Sequence, residues 1–198
     1  MSDGVEQRSE KLATAGASES LAMHDAATAQ NDRKPSGDGA WRPGMGYREY
    51  LAVRKPSFTH WLVLKTVPYF VSVLPLRMRL FAYRLMGVKF RGTGHFIGRG
   101  CLIDPVFPEM ITLEDHVSVA PRVIIECHQS RSDLLKPVTL GPRSFVCTGA
   151  IIAPGVSIGA GAIVGAGSVV FRSVPAGVIV IGSPARVVGK VHSEWDKG

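Results

Sequence analysis

Residues 140–175 read LGPRSF VCTGAI IAPGVS IGAGAI VGAGSV VFRSVP when cut every six. The first place of each block is aliphatic: Leu140, Val146, Ile152, Ile158, Val164 and Val170. The second place is Gly, Ala or Cys until Phe171, and the fifth is small or β-branched: Ser144, Ala150, Val156, Ala162, Ser168 and Val174. Gly149, Gly155, Gly161 and Gly167 hold the fourth place, which suits a corner where the backbone takes a positive φ. A period of six fits neither a helix nor a series of hairpins. It describes short strands separated by tight corners, three units to one turn of a triangular coil, with aliphatic side chains stacked down the interior. A β-sandwich with regular turns is the competing fold, but its strands recur every 8–12 residues.

Working outward, the repeat begins at Ile97 as IGRGCL and IDPVFP, is interrupted by a short insertion at 109–112, and resumes as LEDHVS, VAPRVI and IECHQS. It lapses between about His128 and Val138, where the polar segment QSRSDLLKP must leave the coil as a loop. Expelled loops of this kind tend to carry function. Residues 171–190 read as a last, distorted coil, and 191–198 as a charged tail. The expected domains are a disordered tail over 1–46, a helical cap over 47–94, a β-helix over 95–190 and the tail. The cap would cover the open end of the coil.

Residues 1–46 are rich in Ala, Ser, Gly, Asp and Gln and hold too few large apolar residues to offset the entropy of ordering. They carry five Lys/Arg against seven Asp/Glu, while residues 47–198 carry 18 against 9, so the folded part is the basic part. No aromatic interleaving or nucleic-acid motif accompanies that charge. A phosphate-bearing small ligand or an anionic membrane surface fits it better. The run 58–76 is apolar over nearly a bilayer's span but is interrupted by Lys65, Pro68 and Pro75. Helices broken at those prolines are expected. An interfacial element is the second reading, with Trp61, Tyr69 and Phe70 beside Arg77, Arg79 and Arg84, and residues 58–84 would then touch the membrane peripherally. Cys101, Cys127 and Cys147 are odd in number and unpaired in spacing. Reduced thiols, and with them a cytoplasmic protein at most resting on the inner face of a membrane, are expected.

The stretches PGVSIG at 154–159, GAGSVV at 165–170 and GSPARV at 182–187, taken together, resemble the signatures of the hexapeptide-repeat acyltransferases of the maltose, galactoside and exopolysaccharide O-acetyltransferase type. The resemblance covers roughly residues 85–190. Ser183 stands where that family usually has Asn, and Phe145-Val146-Cys147-Thr148 replaces its usual Trp-Ile-Gly-type stretch. The resemblance implies an all-β, left-handed parallel β-helix that uses acetyl-CoA as donor and a hydroxyl of a saccharide as acceptor. It implies no metal, and it implies a homotrimer with sites at subunit interfaces.

By the same resemblance His128, at the period break, is the general base. Imidazole suits that task because its ordinary pKa lies near working pH. Glu126, Asp133 and Asp104 are the candidates for the acid that orients it. His116 lies inside a regular repeat, and His95, before the first full repeat, is expected at the surface. Pantetheine is expected along Gly149, Ala150, Gly167 and Ser168, the phosphates near Arg172 and Arg186, and the adenine on Pro184. Three other readings compete. A γ-type carbonic anhydrase needs three zinc-binding histidines, but His116 and His128 stand twelve apart with Pro121 between them. A non-catalytic scaffold would bind no acetyl-CoA. A serine acetyltransferase would need a larger helical domain before Ile97.

Overall fold

Ile97, Ile103, Leu113, Val119, Ile125, Leu140, Val146, Ile152, Ile158, Val164 and Val170 all point inward, none more than 2% exposed. The computed structural model describes residues 44–46, 48, 50–51, 70–71 and 74–191. Nearly all of the expected disordered tail, the 58–69 stretch and most of the charged tail therefore lie outside the described residues.

The strands are short. In chain order they are β1 (Lys89–Phe90), β2 (Phe96–Ile97), β3 (Leu102–Ile103), β4 (Ile111–Leu113), β5 (Ser118–Val119) and β6 (Ile124–Ile125). After a side excursion, β7 (His128–Gln129) and β8 (Leu134–Leu135), come β9 (Val138–Leu140), β10 (Phe145–Val146), β11 (Ile151–Ile152), β12 (Ser157–Ile158), β13 (Ile163–Val164) and β14 (Val169–Val170). The chain closes with β15 (Val178–Gly182) and β16 (Ala185–Lys190).

Three parallel sheets result. The first holds β1, β4, β9 and β12, the second β2, β5, β10, β13 and β15, and the third β3, β6, β11 and β14. The chain visits them cyclically, and each strand pairs in parallel with the one a coil away, as Ile151 with Ile124 and Ile152 with Ile125. This is a three-sided parallel β-helix, and β16 folds back antiparallel on β15 to end it. Each inward aliphatic contributes about 1.5–3 kcal/mol of burial, so stability accumulates coil by coil.

Glycine serves this fold in two distinct ways. Gly149 and Gly167 turn the corner between the second and third sheets with φ of 70° and 65°, and a Cβ at either would meet no atom within 4 Å. Gly159 instead lies so close to the next coil that its Cβ would sit 2.3 Å from the Ala176 nitrogen. His116, Arg122 and Arg143 fill corner positions in the middle coils and take the same left-handed conformation without being glycine, whereas the first coil again uses Gly94 and Gly100.

Before the first full coil stands helix α1 (Leu76–Met86). Pro75 precedes it, and Gly87, at φ 117°, ends it by donating its N–H to the carbonyls of Arg84 and Tyr83. The buried face is Arg79, Ala82, Tyr83 and Met86, which packs against β2 and the 3-10 turn Pro108–Met110. The Tyr83 hydroxyl donates to the Cys101 carbonyl at 3.0 Å. The rest of the expected 47–94 cap lies mostly outside the described residues. Among those described, no helix is long and apolar enough to cross a membrane.

Three sequence expectations are revised. The extra residues before β4 are 104–110 rather than 109–112, because the Asp104 carboxylate accepts the Val106 and Phe107 N–H groups and turns the chain there, while Ile111 is already in the ladder. The expelled loop is partly ordered as an antiparallel pair, His128 against Leu135 and Gln129 against Leu134, with the 3-10 turn Ser130–Ser132 between them. His95 is buried rather than at the surface: it is 7% exposed, its Nε2 lies 3.0 Å from the Arg91 carbonyl, and its ring meets Phe90 edge-on. All three cysteines are free thiols, as expected.

Candidate functional site

The two long departures from the six-residue rule fall at the corner between the third and first sheets, on successive coils. Asp104 directly follows β3 and His128 lies three residues beyond β6. The register of those strands, Ile103 opposite Ile125, brings the two side chains together.

Asp104 is 1% exposed and surrounded by donors. Oδ1 accepts the N–H groups of Val106 (2.9 Å) and Phe107 (3.1 Å). Oδ2 accepts the Cys127 N–H at 3.1 Å and lies 2.5 Å from His128 Nδ1. The Cys127 thiol is 3.1 Å from the same oxygen and 3.3 Å from the Phe107 carbonyl, and can donate to one at a time. Burial pushes the Asp104 carboxyl up, but the hydrogen bond from His128, the Cys127 donors and the neighbouring imidazole outweigh it and hold the pKa below the usual value.

An ionised carboxylate only accepts hydrogen bonds, so His128 Nδ1 must carry the proton, and in the neutral ring Nε2 is then the basic nitrogen. The His128 side chain is 20% exposed while that of Asp104 is wholly buried. One ring nitrogen is thus fixed inside the protein and the imidazole reaches towards solvent. Phe107 holds the ring edge-on at 5.2 Å, and Tyr50 tilts over Phe107 at 5.6 Å while its hydroxyl donates to Glu109 at 3.1 Å.

Of the three candidate acids, only Asp104 reaches His128. Glu126 is exposed, and Asp133 accepts the Arg48 N–H at 2.9 Å. His116 stands on the corner between the first and second sheets, where its Nδ1 lies 2.7 Å from Asp115. Tyr50 and Phe107 were missed by sequence reasoning. Phe107 was legible in principle, as a large apolar residue in a segment that breaks the repeat, whereas Tyr50 carried no signal.

Asp104, Cys127 and His128 bring potential ligand atoms within 4.8 Å of one another, which is compatible with a metal ion. With no cation bound, burial, followed by the Asp104 charge, pushes the Cys127 pKa far up, so the group is a protonated thiol able to donate to Asp104. The arrangement fits a hydrogen-bonded acid–imidazole pair with a thiol donor behind it.

The residues expected at the donor are divided. Gly149 and Gly167 stack on the corner between the second and third sheets, with Gly167 N–H donating to the Thr148 carbonyl. Ala150 and Ser168 are adjacent but wholly buried, and the Ser168 hydroxyl accepts the Gly182 N–H at 3.1 Å, so neither offers a side chain to a ligand. Pro184 and Arg186 are exposed on the closing hairpin, and Arg186 donates to the Ala185 carbonyl. Arg172 is exposed at the same corner as His128, one full sheet width from Gly149.

Residues 137–172 match the family model described as bacterial transferase hexapeptide (six repeats), so that stretch of the coil carries the repeat of this model. The chain is 43% identical over 107 residues to Nodulation protein L of Rhizobium meliloti (strain 1021), a match covering 50% of this chain and 57% of that protein. Among solved structures it resembles a hexapeptide-repeat-containing acetyltransferase of Vibrio cholerae O1 biovar eltor complexed with acetyl coenzyme A. There the TM-score is 0.56 at 19% identity, over 78% of this chain and 95% of the other. A maltose O-acetyltransferase from Clostridium difficile 630 gives 0.51 at 21% identity, over 68% and 88%. At these identities the structural likeness establishes the fold.

Proposed function

We propose that this chain of hexapeptide-transferase repeats is an acetyl-CoA-dependent O-acetyltransferase whose general base is His128. The observation that carries the reading is the pairing of His128 Nδ1 with a buried, ionised Asp104, which makes Nε2 the basic nitrogen of the neutral ring on a side chain 20% exposed. The names of the similar proteins, acetyltransferases and one acetyl-CoA complex among them, support the donor.

In the proposed reaction Nε2 takes the proton of an acceptor hydroxyl as its oxygen attacks the thioester carbonyl. The tetrahedral oxyanion rests on a backbone N–H, the C–S bond breaks, and the coenzyme A thiolate takes the proton back from His128. Asp104 orients the ring and stabilises the imidazolium. No covalent enzyme intermediate is required, and proximity in the ternary complex supplies much of the rate. The acceptor is a saccharide hydroxyl, free, polymeric or lipid-linked.

The active unit is proposed to be a homotrimer, with each coil wound in the left-handed sense that the sequence resemblance implies. The outward rows support this assembly. The third sheet shows Leu102, Ile124, Ile151 and Val169, and the second Phe96, Phe145 and Ile163 with Ser118 among them, whereas the first shows Lys89, Thr112, Thr139 and Ser157. Two apolar faces beside one polar face suit a prism packed against two neighbours. His128 and the Gly149–Gly167 corner lie on different edges of one prism. A groove between chains would join one chain's His128 to its neighbour's corner, with pantetheine along Gly149 and Gly167 and phosphates near Arg172 and Arg186.

The test is coenzyme A release from acetyl-CoA by the full chain, with a panel of sugars and lipid-linked saccharides. Release stimulated by particular acceptors, with acetyl ester in the product, is expected. Release that no saccharide stimulates, or no binding of acetyl-CoA at all, would favour the scaffold reading.

A further inference from the structure

Helix α1 buries one face and exposes an apolar one. Met78, Phe81 and Leu85, at helical spacing, are 55%, 67% and 55% exposed, and Phe70, shortly before the helix, is 66% exposed. Arg77 and Arg84, seven apart and both exposed, run along the border of that stripe, with the Arg84 guanidinium held 5.1 Å from the Phe90 ring. In sequence the charge flanking the helix is one-sided: residues 51–103 contain nine Lys/Arg and no Asp/Glu. Of these, Lys89 and Arg99 are also exposed on the first coil, as is Arg91, whose guanidinium pairs with Glu114 at 3.1 Å.

We propose that this face of α1 docks on an anionic bilayer surface, the helix lying in the plane of the membrane. An apolar stripe edged by arginines can sink into the boundary between headgroups and acyl chains while the guanidinium groups stay with the phosphates. An 11-residue helix is far too short to span. Charge decides between occupants. A second copy seated on the same face would set arginine against arginine with no acidic residue from 51 to 103 to relieve the repulsion, whereas anionic headgroups supply the missing sign. The docked end is also the end near the candidate site: Gly87 closes α1 against Glu109, Glu109 accepts from Tyr50, and Tyr50 and Phe107 lead to the His128 ring. A bilayer there would bring a membrane-bound acceptor close to the imidazole, although the docking itself does not depend on the proposed activity.

The test is co-sedimentation of the full chain with vesicles of phosphatidylcholine alone and of phosphatidylcholine with a quarter phosphatidylglycerol, at low and high salt. Binding to the anionic vesicles alone, weakened by salt, is expected. Arg77→Gln with Arg84→Gln should weaken the partition about thirty-fold, and Phe81→Ser with Leu85→Ser at least about tenfold, both variants keeping the parent circular dichroism and melting curve. Failure of the parent chain to bind anionic vesicles overturns the proposal, as does undiminished binding by both variants. A parent chain that ignores vesicles while Phe81→Ser with Leu85→Ser lowers its mass in light scattering would show instead an interface between copies.

Discussion

His128 Nδ1 lies 2.5 Å from Asp104 Oδ2 although the two residues stand 24 positions apart, because β3 and β6 are neighbours one coil apart. If the pair acts as base and orienting acid, His128→Ala should lower kcat/KM by about 10²–10⁴. Asp104→Asn, which keeps the shape but loses the charge that stabilises the imidazolium, should cost at least about tenfold, mostly in kcat. Steady-state kinetics with a saccharide acceptor reads both. Acetyl transfer by His128→Ala at the parent rate would remove the imidazole from the mechanism.

The same pair gives a pH dependence of stability that needs no substrate. The Asp104 carboxyl has a folded pKa below its unfolded value of about 3.9. Its contribution is therefore complete above that value and lost as pH falls through the lower folded pKa. Urea unfolding at pH 7, 5, 4 and 3 should show Asp104→Asn less stable than the parent at pH 7, with the gap narrowing at pH 3. A gap constant across the series would mean that Asp104 remains charged throughout or contributes only shape.

The two kinds of glycine should fail differently. Gly149→Ala, with open space around the new Cβ, should cost about 1–2 kcal/mol through its φ of 70° alone. Gly159→Ala drives a Cβ into the next coil's backbone and should cost more, or unfold the protein. Arg143, exposed at φ 56°, is the reverse case, and Arg143→Gly should raise Tm by a few degrees. Thermal melts of the three variants in parallel check the ranking.

If each site joins His128 of one chain to the Gly167 corner of its neighbour, complementation follows. Chains carrying His128→Ala and chains carrying Gly167→Trp should each be inactive alone, and mixed trimers should regain part of the parent activity. A fully active monomer by light scattering, or mixtures as inactive as their parts, would argue against shared sites.

The coil was legible because its rule is local: a large inward side chain every six residues and a glycine at the corner are visible without knowing what touches what. The acid partner was not, since Glu126 and Asp133 lie nearer to His128 in sequence and Asp104 becomes its neighbour only through the coil register. Counting one coil back from His128 would have favoured Asp104 had the insertion been placed at 104–110. Tyr50 escaped because it reaches the site from outside the repeat, where no periodicity constrains it. His95 escaped because burial of a polar ring depends on one carbonyl, that of Arg91.

The additions at 104–110 and 126–137 sit on one edge of the prism, on consecutive coils, while the other two edges turn in short corners, uniform but for one extra residue between β1 and β2. Variation in length is thereby confined to a seam that the stacking of the sheets does not need. Its exposed tip, Gln129 and residues 131–133, can be exchanged or lengthened without shifting the ladder on either side, while Asp104, Phe107, Cys127 and Leu135 anchor the seam to the core. A graft there, carrying a different loop beside the same imidazole, should fold as readily as the parent and change only which hydroxyl is admitted.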